Sequence, residues 1–99
     1  MEYVIGKDAE SNWKIFEEAD ENHLWFHLNS FPSCHVIIKS DNPPTEHILE
    51  AASLCKFHSK FKNVKNIKIV YTPISNLRLG EVVGSLEIVS KRKCNYVIP

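Results

Sequence analysis

Residues Leu24-Trp25-Phe26-His27-Leu28-Asn29-Ser30-Phe31-Pro32-Ser33-Cys34-His35-Val36-Ile37-Ile38 hold the pattern that decides the fold. Two runs rich in aromatic and β-branched side chains flank a segment of turn-forming composition, Asn29 to Ser33, so the stretch predicts an antiparallel hairpin. Closure centred on Phe31 sets the register, with Trp25 opposite Ile37 and His27 opposite His35. Two imidazoles then share one face of the sheet.

Outward from the hairpin, strands and helices alternate. On the N-terminal side, Tyr3 to Ile5 is a short strand closed by Gly6, and Ser11 or Asn12 caps a helix running to about Ala19 with Trp13, Ile15 and Phe16 as its apolar stripe. Its acidic Glu17, Glu18, Asp20 and Glu21 stand at the end where the helix dipole disfavours them, which predicts a short helix. On the C-terminal side, Thr45 caps a helix of about fifteen residues with Ile48, Ala51, Ala52, Cys55 and Ser59 on one side. Asn66 to Thr72 alternates as a half-buried strand that Pro73 ends. Val82–Val89 and Asn95–Ile98 read as further strands, with Gly80 and Gly84 marking turns or a bulge. The expectation is a single α+β domain over residues 1–99, a mostly antiparallel sheet of about five or six strands with two helices.

A chain of 99 residues has room for one core of ordinary size. Twelve Lys+Arg balance twelve Asp+Glu, which excludes a uniformly basic protein held to nucleic acid by total charge. The charges are segregated, however. Residues 1–50 carry three lysines against ten acids, whereas residues 51–99 carry seven lysines and two arginines against Glu81 and Glu87 alone. Either the poles intermix on folding or the positive one steers an anionic partner. The three cysteines, Cys34, Cys55 and Cys94, have neither disulfide-framework nor zinc spacing and read as reduced thiols. With no apolar leader and no run long enough to span a bilayer, the sequence reads as a soluble cytoplasmic protein with no membrane partner.

Three constellations can carry chemistry. Lys56, Lys60, Lys62, Lys65 and Lys68 crowd thirteen residues with no acid among them and with Phe57, His58 and Phe61 interleaved. Lys56 and Lys60, one helical turn apart, would project from one side and track phosphates, while an exposed aromatic could stack on an unpaired base. The alternative is a solvated helix end whose phenylalanines belong to the core. His27 and His35 supply two potential metal ligands where a closed site needs three or four, so a metal or other cofactor is not expected; alternatively they donate to a phosphate or a buried backbone carbonyl, and hydrogen-bonded histidines ordering the hairpin are the simplest reading. Cys34 and His35, adjacent on a strand, point to opposite faces and cannot form a catalytic dyad without a kink. No enzyme motif is present.

The order of these segments resembles the NFACT-R family, the RNA-binding domain of NFACT proteins of ribosome-associated quality control. The residues that carry the resemblance are Val4-Ile5-Gly6-Lys7, Trp25-Phe26-His27, Ser33-Cys34-His35-Val36, Ala51-Ala52, Val70-Tyr71-Thr72-Pro73, Ser75-Asn76-Leu77 and Gly84. Trp25, His27, Ser33 and His35 match the family's signature Asp-x-Trp-x-His and Ser-x-His-Val, although His23 stands where the family has aspartate. Leu77-Arg78-Leu79-Gly80 lacks the consecutive lysines usual there, leaving Arg78 as the basic residue. The likeness is greatest to the eukaryotic single-domain, coiled-coil-containing members. It implies a non-catalytic module for RNA, tRNA or ribosomal, with DNA a further candidate and ribosome-associated proteins as neighbours. Nascent-chain tailing, which needs the other NFACT modules, is not implied. A competing expectation is a protein-interaction adaptor that docks through acidic residues 17–22.

Overall fold

The computed structural model describes residues 1–99. Strand β1 (Tyr3–Gly6) leads into helix α1 (Ala9–Glu18), then β2 (Leu24–Leu28), β3 (His35–Ile38), α2 (Thr45–Phe57), β4 (Ile69–Pro73), β5 (Leu77–Leu79), β6 (Leu86–Ile88) and β7 (Asn95–Val97). Five strands form one antiparallel sheet in the order β1-β3-β2-β4-β7, and β5 pairs with β6 as a separate ribbon. The fold is α+β, as the sequence predicts. The hairpin register also agrees, with Trp25 opposite Ile37 and Phe26 opposite Val36.

Strict alternation sends neighbouring residues of β2 and β3 to opposite faces, and both faces are covered. Phe26, Leu28, Val36 and Ile38 pack with Ala51, Ala52 and Cys55 of α2. Trp25, Ile37 and Val70 pack on the other side with Ile74 and Leu77, against Ile15 and Phe16 of α1 and Leu86 and Ile88 of the ribbon. β4 is therefore buried on both faces through Val70, where alternation over 66–72 predicted one wet face. The second cover comes from distant segments that its own pattern cannot reveal.

Three local expectations are corrected. α1 is capped by Asp8, whose carboxylate accepts from the Ser11 amide at 2.8 Å while Ser11 Oγ accepts from the Asp8 amide, a reciprocal box that makes Ser11 the third helical residue rather than the cap. α2 starts after Pro44, with Thr45 inside the first turn and no side-chain cap. The apolar run from Val82 is not strand throughout: residues 80–85 form the β5–β6 turn, closed by the Gly80 amide on Ser85 O at 2.9 Å, and Val82 is 72% exposed.

Gly84 holds this turn against α1. Its φ is +91°, and a Cβ there would stand 2.5 Å from the Ala9 Cα. The Trp13 indole N–H donates to Ser85 O at 2.8 Å beside it, which fixes the ribbon on the helix. Gly84→Ala combines left-handed strain with backbone overlap and is expected to destabilise the domain by about 2 kcal/mol. A urea midpoint equal to the parent's would contradict this.

Candidate nucleic-acid interface

The signature hairpin divides its four marked residues between support and surface. Ser33 Oγ accepts from the Leu28 amide at 3.1 Å and donates to Cys34 O at 2.9 Å, so its hydroxyl is spent on closing the loop, where Ser30 takes a φ of 72°. Trp25 is buried and donates its indole N–H to His35 Nδ1 at 3.1 Å. His27 is half-buried, stacks on Trp25 with ring centroids 5.5 Å apart, and donates from Nδ1 to Leu28 O at 2.7 Å. The two imidazoles lie 4.9 Å apart, edge to face, as the register predicts. Burial, with His27 as neighbour, lowers His35 to a pKa of about 3, and desolvation lowers His27 as well, so both rings are neutral at physiological pH.

On the opposite face, Cys34 packs with Cys55 in the α2 core, away from His35. Thiol and imidazole face apart, which is the geometry alternation dictates. No group of three or more His, Cys, Asp and Glu side chains converges as a metal site.

The lysines occupy the turn beyond α2 more than the helix itself. Lys56 lies in the last helical turn, half-buried, but α2 ends at Phe57, so Lys60 stands past the helix instead of one turn along it. Lys60, Lys62, Lys65 and Lys68 are exposed. Only Lys39 with Glu2 and Arg78 with Glu87 form ion pairs between Lys or Arg and a carboxylate, so all five clustered lysines lack an acidic partner within 4.0 Å. Arg78 differs: its Nε is 3.1 Å from Glu87 across the ribbon. Lys62 and Lys68 instead lie over the rings of Phe57 and Tyr96, at 6.0 and 5.5 Å from their centroids. Phe57 is 63% exposed, outside the core, while Phe61 packs against Phe31 in a tilted pair with ring centroids 4.5 Å apart.

A groove of about 540 Å³ runs between the hairpin loop and the turn after α2, lined by Lys7, Ser33, Cys34, His58, Lys60 and Phe61 among others. Lys7, which pairs with no acid, joins the positive cluster here although more than fifty residues separate it from Lys60 in the chain. Its local sequence places it in the Val4-Ile5-Gly6-Lys7 opening of the family likeness but does not tie it to the lysine cluster. Lys91, Arg92 and Lys93 stand exposed on a short 3-10 turn, a basic run adjacent in the sequence itself. No helix is long and apolar enough to cross a membrane.

Comparisons with known proteins identify the family and the fold. The chain is 29% identical over 76 residues to the Rqc2 homolog RqcH of Bacillus subtilis, covering 76% of this chain and 13% of that protein. It is 32% identical over 81 residues to Coiled-coil domain-containing protein 25 of Danio rerio, covering 75% and 39%, and 31% identical over 103 residues to Protein JLP2 of Saccharomyces cerevisiae, covering 92% and 50%. The chain thus spans half or less of these relatives. Among solved structures, the C-terminal part of the fibronectin/fibrinogen-binding protein from Streptococcus suis has the same fold, with a TM-score of 0.85 at 24% identity over 98% of this chain and 40% of that one. Residues 2–88 match the NFACT protein RNA binding domain, and the chain belongs to that family, NFACT-R.

Proposed function

We propose that this domain binds structured RNA, tRNA-like or ribosomal, through phosphate contacts from Lys56, Lys60, Lys62, Lys65 and Lys68, without catalysis of its own. The setting is the cytoplasm, alongside ribosome-associated proteins in quality control. The observation that carries the reading is the absence of carboxylate partners for all five lysines in a chain of zero net charge. Ammonium groups without carboxylate partners can neutralise RNA phosphates and release the counterions condensed on them, at little electrostatic cost to the fold. Exposed Phe57 beside Lys62 adds a surface on which a base can stack. Arg78, already paired with Glu87, contributes less than the lysines.

Replacing Lys56, Lys60 and Lys62 together by Glu is expected to weaken binding of a tRNA-sized RNA at least roughly 30-fold at physiological salt, about 2 kcal/mol, without unfolding. For the parent, log affinity should fall linearly with log salt by about 0.7 to 0.9 per phosphate contact, and the variant should have a shallower slope. Retention of the RNA by the triple variant with an unchanged slope would refute the proposal. Absence of any salt-dependent RNA affinity in the parent would favour a protein partner at the exposed acidic run 17–22, and equal affinity for duplex DNA would broaden the ligand class.

A further inference from the structure

We propose that the cavity between the His27–His35 face of the sheet and the β5–β6 ribbon receives one unpaired nucleobase of a bound RNA strand. The inference rests on the RNA-binding reading above and names a base site apart from the phosphate-binding lysines. The cavity measures about 360 Å³, within the range of small-molecule sites. Trp25, Phe31, Leu86 and Ile88 give it apolar walls, and no Asp, Glu, Lys or Arg lines it.

Its polar groups are fixed by their hydrogen bonds. Leu28 O can only accept, so His27 Nδ1 carries the proton and His27 Nε2, in the neutral ring, is a bare acceptor. The Trp25 indole can only donate, so His35 Nδ1 is the acceptor and His35 Nε2 carries the proton. Neither Nε2 has a hydrogen-bond partner in the protein, and neither is among the polar atoms sealed from solvent, so both meet the cavity they line. An acceptor thus stands beside a donor on rings 4.9 Å apart. A nucleobase edge presents the complementary donor and acceptor side by side, and its flat faces suit the aromatic and aliphatic walls. A phosphate would lose its hydration here without gaining a cation.

The neighbouring groove makes this a site for a strand. Asn29 to Phe31 line the cavity, while Pro32 and Ser33 of the same loop line the groove that holds Lys7 and Lys60. A strand crossing that loop can set phosphate on one side and base on the other.

The test uses ligands without phosphate, so it does not depend on the lysines. Uridine, cytidine, adenosine and guanosine are titrated singly at millimolar concentration into isotope-labelled protein, with ribose 5-phosphate as control. At least one nucleoside is expected to give a saturable shift of the Trp25 indole and the His27 and His35 ring resonances that ribose 5-phosphate does not reproduce. His27→Leu, with its fold verified by spectral dispersion, is expected to weaken that response roughly fivefold, the worth of one lost hydrogen bond. The Lys56, Lys60 and Lys62 triple variant should keep it. A single-stranded RNA hexamer of the responding base should shift the same resonances, and an abasic hexamer should not. No saturable shift with any nucleoside, or equal shifts with ribose 5-phosphate, overturns the proposal while leaving the lysine reading standing; response to nucleosides but not to the hexamer overturns the strand-borne base. Loss of lysine dependence in RNA binding with the nucleoside shifts intact would refute the phosphate reading alone.

Discussion

Lowering the pH from 7 to 4 is expected to remove about 3 kcal/mol of folding stability through His35 alone, because its folded-state pKa of about 3 lies well below the ordinary histidine value of 6.5. Well above pH 6.5 the ring is neutral in folded and unfolded chains and contributes no pH dependence. Between 6.5 and 3 the unfolded chain binds a proton that the folded one refuses, so stability falls by about 1.4 kcal/mol per unit as the pH drops. His27, also lowered, acts in the same direction. The cause is specific: burial penalises the charged ring and His27 stands beside it, while Nδ1 accepts from the Trp25 indole. For a domain holding some 5 to 15 kcal/mol in total, the loss is a large fraction. Urea midpoints at stepped pH measure it, and His35→Gln, which retains an acceptor for Trp25 without titrating, should flatten the curve above pH 4.5. A parent curve already flat from 6.5 to 4.5 would contradict the assignment.

Asn76→Leu is expected to cost about 3 kcal/mol despite similar volume. Asn76 is 3% exposed and sits in the 3-10 turn between β4 and β5. Its Nδ2 donates to Thr72 Oγ1 at 2.9 Å and Ser90 O at 2.8 Å, and its Oδ1 accepts from the Ser90 amide at 2.9 Å. One side chain thereby ties the end of the main sheet to the segment leading into β7. Ser90 O keeps the Lys93 amide at 3.2 Å and Thr72 keeps Lys93 O at 3.1 Å, but the Ser90 N–H would be orphaned in a half-buried position. Asn76→Asp keeps that acceptor but sets a buried carboxylate oxygen against Ser90 O, so it should not recover the loss. Equal thermal midpoints for Asn76→Leu and the parent would show that these bonds contribute nothing net.

The same side chain illustrates what local sequence carries. Ser75-Asn76-Leu77 supports the family likeness, but the segment has no period long enough to announce a three-residue strand at Leu77–Leu79, which exists because Leu86–Ile88 pairs with it. The hairpin was legible for the opposite reason. Turn chemistry at Asn29 to Ser33 and alternation on either side specify register within fifteen residues, so Trp25 opposite Ile37 and the facing imidazoles follow directly. Asp8, Ser11 and Asn12 are all capping residue types, and only the folded backbone shows that Asp8 is the one that lies outside the helix.

Sequence by itself determined the α+β class, the central hairpin and the lysine run from 56 to 68, since each depends on residues close together in the chain. Tertiary structure alone decided that the far face of the sheet is roofed by a ribbon to leave a neutral cavity, that Lys7 joins Lys60, and that Arg78 is paired while the clustered lysines are not. Those outcomes turn on which distant side chains come within a few ångströms of one another. Coulomb attraction and burial act across space, and the spacing of residues along a chain does not report it.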